Sequence, residues 1–324
     1  MKLTTSFKGT LGFTTALVVL ASAASAEAPA LAFIITNAQN PAEISMREGF
    51  EKKGGELGAE VRILNASGSV EAMSNAIDDM IAQGVQGIAT ITMDSVVSMS
   101  WVDRANDANI PYVSVAVQVG DPATTPFKDV YPGLSALVGQ DYIVSGQRMA
   151  EAVAPLLPEG KTAKIGIVEG QAGYALVAQL NQGFNEKLKE LGADYQIVFS
   201  QPTDWTPAKG QEVCANGLIA NPDIDVIFSH AEDMAIGCAQ AINDAGSSAK
   251  LVTAAGGSKL GTPLIKTGDI DISMCEAWIR TGELAAEALF QAATDSATPK
   301  GRLIEYKPEL ITAENTDTVC PPQW

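Results

Sequence analysis

Two features of the chain predict an α/β fold of two lobes, each built on a mostly parallel sheet. Short apolar runs alternate with stretches of helical periodicity from Leu31 to Ala254, the pattern of βαβ units whose strands are buried on both faces. A stretch over 117–139 with Gly120, Pro122, Pro126, Pro132 and Gly133 breaks the rhythm, and the alternation then restarts. The break reads as a crossing from one lobe to the other.

Ahead of the first strand, Lys2 and Lys8 flank the start of a short apolar run over 11–21, and small residues lead to Ala24-Ser-Ala26. This reads as an export signal over 1–26, cut after Ala26. The run falls short of the roughly 18 apolar residues a membrane span needs, and no cysteine near the cut offers a lipid attachment. Residues 31–36 then form an apolar strand, 37–43 a loop, and 42–57 a helix. A second strand follows at 61–64, and Ser69 and Glu71 open a helix that runs to Gln83 and stops at Gly84. The third strand is 87–91, with Asp94 capping the next helix, and the fourth is 111–116.

Beyond the break come a helix over 141–156, a strand over 163–168, a helix over 174–191 and a strand over 196–200. A helix over 207–220, a strand over 225–229, a helix over 233–244 and a strand over 251–254 complete the series. The helix-to-strand passages at 84–89 and 221–227 fall at similar places in the two halves, so the chain carries two copies of one supersecondary plan.

The net charge of −17 becomes −19 once residues 1–26, with two lysines and no acids, are removed. Such a surface repels phosphate backbones and argues against nucleic acid as a partner. The four cysteines, Cys214, Cys238, Cys275 and Cys320, make an even set in an exported chain and point to disulfides. Three pairings are possible. Cys214 with Cys238 is favoured, because both sit early on consecutive helices that flank one strand, which leaves Cys275 to hold the tail at Cys320.

Segments 36–41, 88–95, 108–111, 170–173 with 182–184, 200–204 and 221–237, the last containing Asp233-Met-Ala-Ile-Gly237, together resemble type I periplasmic binding proteins. Their order and spacing match the sugar-binding family that contains the ribose-binding proteins and serves ABC importers. The resemblance implies two Rossmann-like lobes joined by a three-strand hinge, with crossings near 139–140, 275–276 and 307–309. Residues 27–139 with 276–307 would form one lobe, and 140–275 with 308–324 the other. It further implies a monomer in the periplasm, without a cofactor, that closes on a small ligand and delivers it to an ABC transporter membrane permease.

Residue by residue, Asn40 matches a ligand-binding asparagine of ribose-type proteins, and Trp205 falls where they place a stacking aromatic. Ala42 and Glu43 stand in place of two aromatics, Ala116-Val117 in place of an Asp-Arg pair, Leu180 in place of an arginine, Gly256 in place of an aspartate, and Glu276 in place of a hinge glutamine. Ribose is therefore not the expected ligand. A neutral sugar or polyol comes first. An amine-bearing cyclitol or other cation comes second, motivated by Glu43 and Glu276 without matching arginines, and 254–257 is expected to leave extra room.

Each candidate has a plainer alternative. Trp205 either stacks on a sugar face or packs in the lobe. His230, the only histidine, either contacts ligand or merely starts a helix, and alone it makes no metal site. Glu276 either accepts bonds from ligand or caps the helix beginning near Ala277, and Glu43 either binds ligand or sits favourably at a helix amino end. Gln140, beside a crossing, and Gln171, in the 170–173 loop, are candidates by position. Asp94 and Asp233 read as helix caps. The 170–173 loop lacks phosphate-loop spacing, and neither G-x-S-x-G nor H-E-x-x-H occurs, so nothing points to an enzyme. A receptor that presents ligand to a membrane sensor is an alternative to transport. A glycoside hydrolase using Glu43 and Glu276 would need their carboxyls about 5–9 Å apart.

Overall fold

The computed structural model describes residues 28–322 and 324, together with 1, 2 and 4. The signal expected over 1–26 lies, but for those three positions, outside the described residues. The first half runs β1 (Ala30–Ile35), α1 (Pro41–Glu56), β2 (Glu60–Asn65), α2 (Val70–Ala82), β3 (Gly87–Ile91), α3 (Ser98–Asp107), β4 (Tyr112–Val115) and β5 (Ala136–Gly139). The second half continues with α4 (Tyr142–Val153), β6 (Ala163–Glu169), α5 (Ala175–Glu190), β7 (Tyr195–Pro202), α6 (Pro207–Ala220), β8 (Val226–Ser229), α7 (Glu232–Ala245) and β9 (Lys250–Thr253). Last come α8 (Gly261–Thr267), β10 (Ser273–Met274), α9 (Trp278–Thr294), β11 (Arg302–Glu305), β12 (Leu310–Ile311) and α10 (Thr316–Val319).

These strands form two parallel sheets, ordered β11-β5-β4-β3-β1-β2 and β7-β6-β8-β9, and a short antiparallel pair of β10 with β12. The chain leaves the first sheet after Gly139, returns through 275–277 into α9, and leaves again after β11 toward β12. Three passages thus connect the two sheets.

Local chemistry sets the helix starts. Asn40 accepts from the Ala42 and Glu43 amides ahead of Pro41, Ser69 accepts from Ala72, Asp141 from Ile143 and Val144, and Thr206 from Lys209. Strand β1 is buried along its whole length, with Leu31, Phe33 and Ile35 packing toward Phe50 and Leu289, and Ala32 and Ile34 toward Met73 and Trp101. In the second sheet, Ile165, Ile167 and Phe228 meet Phe184 on one face, while Val168 and Ile227 meet Cys214 and Cys238 on the other.

Three helix pairs cross at reciprocal glycines. A Cβ on Gly49 would strike the carbonyl oxygen of Ile279, and one on Gly282 that of Met46; Gly146 and Gly183 stand in the same relation to Leu180 and Ile143. Gly210 and Gly237 repeat it against Met234 and Pro207. Pairs α1/α9, α4/α5 and α6/α7 therefore touch backbone to backbone.

The long break over 117–139 is not a crossing. Val119, Phe127 and Leu134 sink into the core beneath the first sheet, and the segment ends as β5, paired between β4 and β11. The passage itself takes only the few residues around Gln140. A four-residue strand buried on both faces reads as a plain apolar run, which the neighbouring prolines and glycines conceal.

Both favoured cysteine pairings are present. Cys214 and Cys238 join α6 to α7 with Cα atoms 5.3 Å apart, and Cys275 and Cys320 join the second passage to the segment after α10 at 5.6 Å.

Candidate functional site

A cleft with about 860 Å³ of unfilled space, its open mouth included, lies between the two sheets. Its walls come from the carboxyl ends of strands: Ile91 closes β3, Ala116 follows β4, Gln140 follows β5, His230 follows β8 and Ala254 follows β9. This is where open α/β sheets place ligands.

Six of the seven residues singled out in the sequence line this cleft: Asn40, Glu43, Gln140, Trp205, His230 and Glu276. Gln171 does not. It is exposed on the loop after β6, where the neighbouring Gly170 lies beneath the Trp205 ring. Position next to a strand end was its only signal, and the turn carries its side chain away from the lining.

Several of the six are already engaged. Asn40 Oδ1 accepts from the Ala42 amide at 2.9 Å and caps α1, and among the described residues its Nδ2 has no partner. Glu43 Oε2 accepts from the Thr36 and Asn37 amides at 2.7 and 2.9 Å, and Oε1 accepts from the Thr36 hydroxyl. Burial raises the Glu43 pKa against those bonds, and its carboxylate braces the loop after β1. His230 Nδ1 accepts from the Gly170 amide at 3.3 Å, so Nε2 carries the proton and donates to Asn181 Oδ1 at 3.0 Å. Burial lowers its pKa to about 3, and the ring is a neutral wall.

Trp205 holds its backbone at φ 67°, a left-handed conformation costing a non-glycine residue about 1–3 kcal/mol. Its ring covers Gly170 and meets Tyr174 edge-on, with centroids 6.1 Å apart. Ala116, at φ 62°, is a second strained residue in the lining.

At the first and second passages, Gln140 Nε2 donates to Glu276 Oε1 at 2.7 Å, while Ser145 Oγ donates to Gln140 Oε1 at 3.1 Å. Glu276 is fully buried, its Oε2 has no partner among the described residues, and burial pushes its pKa up to about 8. Burial thus favours its neutral form, which can donate as well as accept. It does not cap α9, whose start at Ala277 has no side-chain cap.

The positions where the resemblance implied charged clamps, Ala116, Val117 and Leu180, line the cleft with apolar surface. The room expected at 254–257 is taken: a Cβ on Gly256 would stand 2.6 Å from Glu232 Oε1, and one on Gly257 2.6 Å from Cys320 Sγ. Glu232 accepts from the Gly257 and Ser258 amides at 3.2 and 2.9 Å, and burial raises its pKa to about 7.

Among the lining residues that escaped the sequence reading are Tyr142, Tyr174, Asp233, Trp278 and Trp324. Asp233 was read as a cap, yet α7 has no side-chain cap; burial without a compensating hydrogen bond raises the Asp233 pKa to about 6. Tyr142 and Trp278 open the helices that follow two passages, a placement that could have flagged them. No lysine or arginine lines the cleft among the described residues. Nor does any group of three or more histidine, cysteine, aspartate or glutamate side chains there fit a metal ion.

The periplasmic binding protein domain matches residues 31–297. The chain is 28% identical over 254 residues to the ribose import binding protein of Bacillus subtilis (strain 168), covering 78% of each. It is 28% identical over 269 residues to the D-allose-binding periplasmic protein of Escherichia coli (strain K12), covering 82% of this chain and 85% of that one. In fold it is similar to an ABC transporter solute binding protein from Bacillus halodurans C-125 with bound myo-inositol, at TM-score 0.80 and 18% identity over 90% of this chain and 98% of that one. A galactofuranose binding protein superposes at TM-score 0.78 and 21% identity, over 89% and 96%. With strand-end walls, a cleft between two parallel sheets and a family match over most of its length, the chain belongs to the periplasmic binding protein domain family.

Proposed function

We propose that this protein is a periplasmic receptor that binds a small neutral sugar or polyol between its lobes and delivers it to the membrane permease of an ABC transporter. The observation that carries the reading is the make-up of the cleft, which sets aromatic faces beside hydrogen-bonding groups and contains no cation among the described residues. Indole and phenol rings suit the C–H faces of a sugar, and Asp233, Gln140, Glu276 and the Asn40 amide suit its hydroxyls. The relatives named for ribose and D-allose support the same ligand class.

A cationic ligand is not favoured. Of the two carboxylates that motivated it, Glu43 is held by Thr36 and Asn37, and burial favours the neutral form of Glu276. The same engagement argues against Glu43 as one of an acid pair for glycoside hydrolysis. Residues 27–139 with 276–307 are taken as one lobe and 140–275 with 308–324 as the other, closing about the three passages. Among the described residues no helix is long and apolar enough to cross a membrane.

A thermal-shift screen of neutral sugars, polyols and amino sugars tests the ligand class, since binding to the folded state raises the melting temperature by mass action. Stabilisation by neutral compounds with compaction in solution scattering is the expected result. Stabilisation by amino sugars alone would overturn it.

A further inference from the structure

We propose that Trp324 is a ligand-contacting wall of the cleft, and that the Cys275–Cys320 disulfide is the positioning device that keeps it there. The inference rests on the sugar-cleft reading and adds a recognition group that neither sheet supplies. Trp324 lies in the lining beside Trp278 and Ala255 and packs against the apolar cluster of the first sheet. Its indole Nε1 donates to the Glu276 backbone carbonyl at 3.2 Å, and its own carbonyl accepts from the Lys259 amide at 2.6 Å. One residue therefore touches the first lobe's core and the second passage with its side chain, and the loop after β9 with its backbone carbonyl.

Position follows from the tether. Cys320 is fully buried, its sulfur seated against Gly257, where a Cβ would come within 2.6 Å. Its partner Cys275 is the residue next to Glu276, whose carbonyl receives the indole N–H. Four residues of chain reach at most about 14 Å, so the bond confines Trp324 to the neighbourhood of the cleft. Without it, the segment after α10 loses its covalent tie and Trp324 its high local concentration. With the N–H edge held by Glu276, the ring face is the part left for a ligand's apolar side.

The test uses the full mature chain and four probes: D-ribose, D-allose, D-galactose and myo-inositol. Calorimetry with the tightest probe should show Trp324→Ala weakened tenfold or more, with Trp324→Phe within about threefold of wild type. Cys275→Ser with Cys320→Ser should weaken binding several-fold, and the same pair of changes in the Trp324→Ala background should add less than twofold, as expected when two changes act through one group. Cys214→Ser with Cys238→Ser, a bond not attached to the segment after α10, should change affinity by the same factor in the wild-type and Trp324→Ala backgrounds.

A fluorine label on tryptophan gives the second readout. The Trp324 resonance should move when the Cys275–Cys320 bond is removed without sugar, and again when sugar is added to the intact protein. A sugar that shifts the Trp205 resonance but not that of Trp324 would overturn the inference. So would tighter or unchanged binding by Trp324→Ala, the former marking the indole as a competitor for the site. Silence of both resonances toward all four probes would instead remove the sugar-cleft reading, and the inference with it.

Discussion

The six-stranded sheet buries one apolar face beneath α1 and α9 and the other beneath α2 and α3, whereas the four-stranded sheet, two strands narrower, has the Cys214–Cys238 bond across its α6/α7 layer. The cysteines all fall in the part of the chain beyond residue 213. The two sheets also face the cleft differently. On the first, Asn40 and Glu43 are turned to the start of α1 and the loop after β1, and Ala116 and Val117 offer apolar surface. On the second, His230 and Glu232 are likewise held by backbone amides, while the Trp205 and Asp233 side chains have no hydrogen-bond partner among the described residues. The difference teaches that the smaller core is covalently reinforced on the side that we propose carries most of the recognition chemistry, since fewer strands leave less apolar area to hold its loops in place.

The largest expected effect tests the reinforcement. Replacing Cys214 and Cys238 by serine should remove about 2–5 kcal/mol of stability. Denaturant unfolding should then split in two, with the four-stranded sheet lost first. A single transition at the wild-type midpoint would put both sheets on an equal footing.

A pH series comes next. The folded-state pKa of Glu276 is raised by burial to about 8 from the ordinary 4.5, so its favourable contribution is complete below pH 4.5 and is lost as pH rises toward 8. Stability of the wild type should fall relative to Glu276→Gln across that window, by up to about 1.4 kcal/mol per pH unit. Glu232 and Asp233, raised to about 7 and about 6, act in the same direction in both proteins and cancel in the difference. A constant gap between the two proteins would show that Glu276 ionises freely.

Trp205→Ala should cost about 2 kcal/mol of ligand affinity in calorimetry while leaving the fold intact, as for a hot-spot anchor. Asn40→Ala should be the smallest change, about 1 kcal/mol of stability from the lost α1 cap, with a smaller loss of affinity. An Asn40 effect on binding larger than that of Trp205 would reverse the comparison between the two sides.

Much of the fold is legible because parallel strands buried on both faces announce themselves as apolar runs, as residues 31–35 and 226–229 do. Residues 302–305 escape because β11 is an edge strand whose arginine and glutamate break the run. The Cys214–Cys238 pairing is legible because α6 and α7 are consecutive helices around β8. Site residues beside strand ends could be located from local pattern. Asp233 could not be separated from a cap, because an acid in the first helical turn satisfies the same local rule whether it faces the amides or the cleft. Trp324 had no local signal at all: its place is set by a bond 45 residues long in sequence separation, between Cys275 and Cys320.

The reciprocal glycines of α1/α9, α4/α5 and α6/α7 have a consequence for anyone mapping this protein by systematic mutagenesis. Alanine is normally the harmless substitute inside a helix, better than glycine by about 0.5–1 kcal/mol. At Gly49, Gly146, Gly183, Gly210, Gly237 and Gly282 the added methyl would collide with a carbonyl on the facing helix, so the sign reverses. Thermostabilising schemes that replace helical glycines wholesale would pry these layers apart, and a scan would flag six positions outside the cleft lining as intolerant. Their intolerance would be that of keyed parts, in which the smallest side chain is the one that cannot be exchanged.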